Sequence, residues 1–557
     1  MSYSMGGQHH AVQELANRYN TKVLGAKLGS DRFVFVFTDE VVRKVLTSED
    51  YEGRPNTFFM RLRSMGTRKG TIHFIICLNY TRKWVLTIVF NKIPKFQVVR
   101  FGSCVPPNIL IVVQTKRVRL ERITLDKPQP TNKLQSRQLF SKINHIKARV
   151  TEFVVALLRN CSTDFFDFFM YSKGNEGGGV CGKGITGVDG PLWQEQRQFA
   201  MRHLRNVGFG KPIMEEYIIE ELHQLVKTCA ESGKNVYLNS MLAPHVINVL
   251  WMFTAGKRID KDDARLPKLL TLLTERSKAF DMAGGMLNQY PFLRFIAPNK
   301  SGFNLLTSLN KQFYDFFLEA INDHRKTISV VNEDLIHTFL CEMKKTENDK
   351  NSTFTDDQLI MVILDLFIAG SQTTSNSLDF AFLMMLTRPE IQAKVHAELD
   401  RVLMSRTLHY TMAVIHEIQR FFNIAPLTGP RRVVRDTELE GYTIPKNTIV
   451  LISLYSIHMD PKIWGDPQEF RPERFITPDG KLNEALVDRI LPFGLGRRRC
   501  LGEALARGCM FLFFSGVMQR FKIVTTDGVM PIVKPIIGIT TSPPKYHASV
   551  LPRIEVL

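Results

Sequence analysis

Between Leu491 and Gly502 the chain reads Leu-Pro-Phe-Gly-Leu-Gly-Arg-Arg-Arg-Cys-Leu-Gly and then runs straight into a helical pattern. Three glycines, three arginines and one cysteine in twelve residues make neither a strand nor a helix. Glycines let a backbone fold back tightly and pass close to a flat ligand. A cysteine ahead of a helix N-terminus and beside arginine is expected to have a lowered pKa, with backbone amides facing the sulfur adding to the effect. Cys500 is therefore a candidate thiolate, and the competing reading is a structural cysteine in a basic loop.

The pattern around this loop is mainly α-helical. Candidate helices cover Pro191–His203, Ile213–Ser232, Asn239–Phe253, Leu266–Phe280, Phe303–Thr327, Pro389–Leu403 and Thr411–Phe422, and residues 502–521. A long helix opens after Thr355, a plausible N-cap, and runs to about Leu386 ahead of Pro389. Small sheets are expected near the two ends of the chain. Thr21–Leu28 and Arg32–Thr38 read as strands around a Gly29-Ser30-Asp31 turn, Asp39 as the cap of a short helix, and residues 522–555 as β hairpins.

Charge divides the chain. Residues 71–170 hold 16 Lys and Arg against 5 Asp and Glu, which is most of the formal net charge of +19. In that stretch apolar bursts such as Ile72–Cys77 and Ile109–Val113 alternate with basic clusters, without a steady period of 2 or 3.6. It reads as an inserted segment, with folding apart from the rest as one expectation. A nucleic-acid partner is not expected, because the chain has no zinc-finger spacing and no RNP-like aromatic pattern. Eight cysteines without a CxxC pair fit free thiols in a reducing compartment. No signal peptide opens the chain and no run of 18 apolar residues occurs, so it reads as soluble or peripheral.

With these features in place, the Cys500 loop resembles the signature of the cytochrome P450 family. Phe493, Gly496, Arg498, Cys500 and Gly502 stand at its F-x-x-G-x-R-x-C-x-G positions. A thiolate pushes electron density onto haem iron and favours O–O cleavage. The resemblance implies a P450 fold in a single large haem-binding domain, with Cys500 as axial ligand and Arg498 paired with a haem propionate. Three further stretches resemble the family in the same order. Glu417-Ile418-Gln419-Arg420 followed by Pro472-Glu473-Arg474-Phe475 implies a buried structural triad of Glu417, Arg420 and Arg474. Ala369-Gly370-Ser371-Gln372-Thr373-Thr374 implies a distal oxygen-binding groove, with Thr373 helping to deliver protons to dioxygen. Trp193-Gln194-Glu195-Gln196-Arg197 implies Trp193 and Arg197 at a propionate, and of Arg431-Arg432 the second is the better candidate for another propionate contact.

The resemblance covers about residues 10–66 and 180–557, starting with Glu52-Gly53-Arg54-Pro55. The domain is thus expected in two parts, 1–66 with the N-terminal sheet and 180–557 with the main helical part, around the atypical 71–170. That stretch is either a lineage-specific insertion or normally untranslated sequence, the second being favoured. Other departures are Gln372, where the family is usually acidic, a short link between Leu403 and His409, and no N-terminal anchor such as microsomal members carry. Gln cannot exchange a proton as a carboxylic acid does, so proton delivery is expected through Thr373 and water.

The implied function is a monooxygenase inserting one oxygen atom from dioxygen into a lipophilic small molecule. Electrons would come from NADPH through NADPH–cytochrome P450 reductase, with cytochrome b5 as a further candidate donor. The implied location is the cytoplasmic face of the endoplasmic reticulum membrane. Arg202–Gly210 and Ser371–Ser375 with Leu378-Asp379-Phe380 resemble arthropod members, which implies substrates such as methyl farnesoate, other terpenoid hormone precursors or xenobiotics. Candidate pocket walls are Phe280–Met286, Leu366–Ala369, Ile424–Leu427 and Ile536–Ile539. The alternatives are a haem-thiolate isomerase or dehydratase without reductase, and a non-catalytic haem-binding product of a defective gene.

Overall fold

A computed structural model describes residues 7–28, 31–55, 62, 72–78, 84–90, 99–100, 109–114, 117–118, 183–278, 287, 290, 293–326, 334–401, 408–538 and 540–553. The chain divides into two compact units, one formed by residues 1–66, 180–290 and 298–557 and the other by 67–179 and 291–297.

The first unit is mainly α-helical. Its helices are α1 (Gly7–Arg18), α2 (Asp39–Thr47), α3 (Gly190–Asn206), α4 (Pro212–Ser232), α5 (Leu238–Ala255), α6 (Arg265–Lys278), α7 (Phe303–Lys326), α8 (Leu335–Lys345), α9 (Asp356–Thr387), α10 (Pro389–Arg401), α11 (His409–Phe422) and α12 (Glu503–Arg520). These bounds lie within a few residues of those expected from periodicity. The sequence reading missed α8, whose signal was a cap: the Asp334 side chain accepts from the His337 amide, ahead of Leu335, Ile336, Phe339 and Leu340.

Helix α9 is the axis of this unit. Thr355 caps it as expected, accepting from the Gln358 amide. Helices α5, α7, α11 and α12 pack around it. Its length and apolar content alone would let it cross a membrane, but its residues are largely buried against protein. Buried polar residues on it meet backbone, as they must. Gln358 pairs with both the N–H and the C=O of Gly184, and Asp365 accepts from the Ile185 and Thr186 amides at 2.8 Å each. The approach to α3 is thereby tied to the central helix.

Strands β1 (Val23–Leu28), β2 (Asp31–Val36), β3 (Arg431–Arg432) and β6 (Ile449–Ile452) form one sheet in the order β1-β2-β6-β3. β2 and β6 pair in parallel and the other contacts are antiparallel. Strands β4 (Thr437–Leu439) and β5 (Tyr442–Ile444) make a small hairpin. Two expectations need correction. Asp39 does not cap α2: it is the first residue of that helix, and its carboxylate holds Arg43 at 2.7 Å and Arg489 at 2.9 Å. Among the described residues of 522–555, the paired strands are β7 (Phe521–Val524) and β8 (Ser549–Pro552), and the segment between them holds one internal antiparallel bridge, Ile536 to Ser542, rather than successive hairpins. The Gly29-Ser30 part of the expected turn lies outside the described residues.

In the second unit, strands Ile72–Leu78, Trp84–Phe90, Val99–Arg100, Ile109–Gln114 and Arg117–Val118 form one antiparallel sheet. The apolar bursts noted in the sequence are two of its strands, paired to each other. Most of the remaining 71–170 stretch lies outside the described residues.

The strongest single constraint in the first unit is electrostatic. Glu417 and Arg420 are completely buried and Arg474 nearly so. Arg420 grips Glu417 with Nε and Nη2 at 2.7 and 2.8 Å, and Arg474 Nε adds a contact at 3.2 Å. The remaining guanidinium donors end on carbonyls of His458, Pro467, Glu469, Trp464 and Asp466. Such a pair persists only when every polar atom is satisfied. Arg474 also holds the Asp466 carboxylate at 2.9 Å, so replacing Glu417 by Gln would leave Arg420 as the buried cation without an anion; the expected cost is about 3–5 kcal/mol, read as a lowered urea midpoint.

Buried histidines set the pH dependence. Burial, with Arg420 nearby, pushes His458 down to about 3, and burial, with Arg507 nearby, pushes His416 down to about 4. Unfolding lets both take up protons near their ordinary 6.5, so the stability they lend is full above pH 6.5 and is lost as pH falls toward 4. Asp379 acts in the opposite direction. Burial raises it to about 7 against hydrogen bonds from Tyr546 and Asn239, which favours the folded state as pH falls from 7 toward 3.8. One histidine is thus offset, and His9 and His396, both lowered to about 4 chiefly by burial, add to the loss. A net fall of at least roughly 1.4 kcal/mol per pH unit is expected from urea midpoints between pH 6.5 and 4.5.

Candidate haem-thiolate site

Two left-handed glycines fold the Cys500 loop. Gly494 has φ 68° and Gly496 φ 70°. A Cβ on Gly496 would lie 2.4 Å from the Leu46 carbonyl oxygen at the end of α2, so backbone closes that position from the far end of the sequence. The loop is pinned by Gly494 N–H to Leu491 O at 3.0 Å, Arg499 N–H to Gly496 O at 3.0 Å and Cys500 N–H to Phe493 O at 2.8 Å. The Phe493 ring packs under Arg507, whose guanidinium carbon is 5.0 Å from the ring centre. Gly502 occupies the N-cap of α12 with an ordinary φ of −89°, and a Cβ there would point into open space. Backbone strain therefore gives no reason for glycine at 502, whereas a flat ligand passing close by would.

Cys500 is accessible, yet protein surrounds its sulfur at longer range, the situation of a thiol at the floor of a cleft. The expectation of a lowered pKa is not met. Desolvation raises it and outweighs the Gly502 amide bonded to the sulfur, Glu503 adds to the rise, and Arg197 and Arg499 oppose it. The amide expected at the sulfur is there, but Glu503 at the first position of α12 cancels much of the helix-end field. A bound metal cation would deprotonate such a thiol outright. Among the described residues no cluster of three or more His, Cys, Asp or Glu could hold a bare metal ion. Cys500 suits one axial position on a metal that brings its other donors with it.

Beside the loop a cluster of cations gathers around one buried ring. Trp193 is buried, and the guanidinium carbon of Arg498 lies 3.7 Å from its ring centre, with Arg497 at 5.7 Å and Arg197 at 5.9 Å. Arg498 donates to the Glu52 carbonyl at 2.8 and 3.1 Å and to the Val188 carbonyl at 2.9 Å. Burial lowers it to about 9, Arg431 and Arg197 pushing the same way against Asp189 and Glu52. Arg197 donates to the Arg499 carbonyl at 2.6 Å, which holds the residue next to Cys500. Trp193, Arg432, Arg498 and Asp189 line one cleft.

Arg432 was the expected member of its pair, but its guanidinium is committed to Asp189 at 2.6 Å, the Arg54 carbonyl at 3.0 Å and Asn447 at 3.2 Å. Its neighbour differs. Arg431 is buried, is lowered to about 10 by that burial, and makes one hydrogen bond among the described residues, to the Leu46 carbonyl at 3.3 Å. A guanidinium has five N–H donors, and a buried one so poorly satisfied is costly. The missed signal was strand alternation: consecutive residues of β3 point to opposite faces, and the pattern is buried then half-buried. A planar group with two carboxylates would satisfy Arg431 and its neighbours, so the residues present fit haem.

On α9 the expected groove appears as an interruption in burial. Residues around it are buried, but Ala369 is exposed and Gly370, Gln372 and Thr373 are half-buried, which marks an opening against the middle of a core helix. Gly370 lets α5 approach, since a Cβ there would lie 2.8 Å from the Leu250 side chain. The Thr373 hydroxyl donates to the Ala369 carbonyl at 2.7 Å, and the Ser377 hydroxyl donates to the Thr373 carbonyl at 2.8 Å. Bonds of this kind bend a helix. Of the expected pocket walls, Leu366–Ala369 and Ile424–Leu427 are half-buried or mixed, and Ile536 and Ile537 are exposed. Phe280–Met286 and Ile539 lie outside the described residues.

A family model described as Cytochrome P450 matches residues 148–550, beginning inside the 71–170 stretch. The Drosophila melanogaster protein named "Probable cytochrome P450 305a1" is 34% identical over 99% of this chain and 90% of its own length. A Bombyx mori protein named "Farnesoate epoxidase" is 35% identical over 66% of this chain and 76% of its own length. Cytochrome P450 2J5 of Mus musculus is 36% identical over 67% of this chain and 76% of its own length.

Replacing Gly496 by Ala would drive a methyl group into the Leu46 carbonyl and force an unfavourable φ. The expected outcome is a folded helical core by circular dichroism with haem content, read from absorbance per protein, down by at least roughly tenfold.

Proposed function

This chain belongs to the cytochrome P450 family and is a haem-thiolate monooxygenase, and from that premise we propose that it oxidises a lipophilic small molecule with electrons drawn from NADPH through NADPH–cytochrome P450 reductase. The observation that supports the site assignment is the Cys500 loop: an accessible thiol, an amide on its sulfur, and the buried Arg431 guanidinium with one hydrogen bond among the described residues.

When bound, haem supplies the activation of dioxygen, from which one oxygen atom goes to substrate and the other to water. Cys500 would hold the haem iron through its thiolate. The Gly502 amide and Arg197 would favour negative charge at its sulfur. Arg498, Trp193 and Arg431 would hold the haem carboxylates, Arg431 in the place first expected of Arg432. Arg197 steadies the loop through the Arg499 carbonyl, and Gly496 and Phe493 set its shape.

On the distal side, the Thr373 hydroxyl donates to the Ala369 carbonyl and keeps its oxygen lone pairs open to accept a proton-bearing water. Gln372 holds no exchangeable acid proton, so the relay runs through Thr373 and solvent at the exposed Ala369–Gly370 opening. Glu417, Arg420 and Arg474 are structural.

The substrate class is a terpenoid hormone precursor of the methyl farnesoate kind, which the similarity to the Bombyx mori protein supports, with lipophilic xenobiotics as the wider class. Cytochrome b5 is a second candidate donor, and the location is the cytoplasmic face of the endoplasmic reticulum membrane. The domain's main part takes in residues 148–170 with 180–557, because the family match begins at residue 148.

The test is the carbon-monoxide difference spectrum of the reduced protein beside Cys500→Ala, followed by product formation from methyl farnesoate with NADPH and reductase. A strongly red-shifted Soret band, absent from the variant, and product dependent on both NADPH and reductase are expected. A band of the His-ligated type in the native chain would overturn the site assignment. Turnover of a peroxide without reductase would overturn the monooxygenase reading.

A further inference from the structure

We propose that Asn423 and His458 are positioning residues for the haem-ligand loop, a buried hydrogen-bonded link that fixes where Cys500 stands by holding the backbone at Leu491. The inference rests on the reading that Cys500 ligates haem and extends it to residues that touch neither haem nor substrate.

The link starts at the end of α11. Asn423 is buried in the left-handed conformation, φ 46°, and terminates that helix. Its amide nitrogen donates to the Arg420 carbonyl at 2.7 Å, which fixes the side chain's orientation and turns Oδ1 outward. Oδ1 meets Nδ1 of His458 at 2.6 Å. The other ring nitrogen, Nε2, meets the backbone N–H of Leu491 at 3.0 Å. A backbone N–H can only donate, so Nε2 accepts and the ring is neutral with its proton on Nδ1, aimed at Asn423. Asn423, His458 and Leu491 are each at most 4% exposed. The low pKa of His458, about 3, keeps the ring neutral throughout the ordinary pH range.

Three features make this more than a packed histidine. Leu491 opens the loop, its own carbonyl accepts from Gly494, and the turn closes where Cys500 N–H meets the Phe493 carbonyl at 2.8 Å. The backbone carbonyl of His458 accepts from Arg420 at 2.9 Å, so the ion pair at Glu417 and the loop are both fastened to one residue. Asn423 also reaches the distal side: its carbonyl accepts from the Thr541 hydroxyl at 3.0 Å, and the Thr541 carbonyl accepts from Asn376, three residues after Thr373 on α9, at 3.2 Å. The helix that carries Thr373 and the loop that carries Cys500 therefore share one buried, neutral set of hydrogen bonds. Cutting it frees the Leu491 amide, and the loss falls on axial-ligand placement before it falls on the fold.

The test compares four variants of the full chain loaded with haem. His458→Leu removes the acceptor. His458→Gln keeps a side-chain oxygen for Leu491. Asn423→Ala keeps the ring and removes its Oδ1 partner, together with the Nδ2 bond to the Arg420 carbonyl and the side chain suited to a left-handed helix end. Gln392→Leu is the control, since Gln392 is buried and bridges α10 to β7 through the Met385 carbonyl and both the N–H and C=O of Ile523. The readout is the rate at which the thiolate-type Soret band of the reduced carbon-monoxide complex decays to the type without thiolate, with thermal unfolding followed in parallel.

Expected is a decay at least roughly tenfold faster in His458→Leu, an intermediate rate in Asn423→Ala, and recovery to within about threefold of the native rate in His458→Gln. Gln392→Leu should lower the unfolding temperature and leave the decay at the native rate. Native decay in His458→Leu, or equal acceleration in Gln392→Leu, overturns the proposal. Where His458→Leu does not accumulate folded, Asn423→Ala carries the test: accelerated decay supports the link and native decay overturns it. A native chain with no thiolate-type band sinks the assignment of Cys500 itself, so the two failures are told apart.

Discussion

A carboxylate with no access to water dictates much of this structure. Glu417 can stay ionised only because Arg420 and Arg474 meet it, and each guanidinium brings more donors than one carboxylate can absorb. The surplus is taken up by carbonyls from residues 458 to 469. A single buried negative charge thereby fixes the course of an otherwise irregular stretch. That stretch delivers His458 beneath the first residue of the cysteine loop. One residue, His458, thus meets both the triad, through its carbonyl, and the start of the cysteine loop, through its ring.

The two arginine clusters differ in a way that separates structure from binding. Around Glu417 the guanidinium donors end on protein oxygen. Around Trp193 the cations outnumber the acids that reach them, and Arg431 keeps one long hydrogen bond among the described residues. Desolvation lowers Arg197, Arg431 and Arg498, and Arg498 is lowered further by Arg431 and Arg197. A protein that needed only stability would gain by removing such a charge. Its retention is explained by an anion that arrives from outside the chain.

The sequence made the helical part of the fold legible because amphipathic periodicity, Thr355 as a cap and Pro389 as a stop are local features. The cysteine loop was legible because its glycines and arginines are closely spaced. What stayed hidden was decided by contacts distant in sequence. The choice between Arg431 and Arg432 turned on which side of a two-residue strand faces inward. The role of Leu46 lies in a backbone carbonyl, which no side chain advertises. The rise in the Cys500 pKa came from desolvation, which residue spacing does not report, and the local sign expected from Arg499 and the helix end was outweighed. Residues 522–555 looked like hairpins because short apolar runs between prolines imitate strands, whereas the two ends pair as strands and the middle keeps a single internal bridge, Ile536 to Ser542.

The Leu46 carbonyl serves two distant clients, the Arg431 guanidinium and the close approach of Gly496. Strand β2, just before it, pairs locally with β1 but waits for β6, more than 400 residues later, on its other edge. At about 5–20 residues per second, synthesis of the intervening chain takes on the order of 20–80 s. Through that interval the N-terminal hairpin carries an open strand edge on the ribosome, the kind of edge that other chains can pair with. The thiol loop reaches its Leu46 partner only after residue 496 has been made, so capture of a ligand there comes late in the synthesis of the chain that separates them.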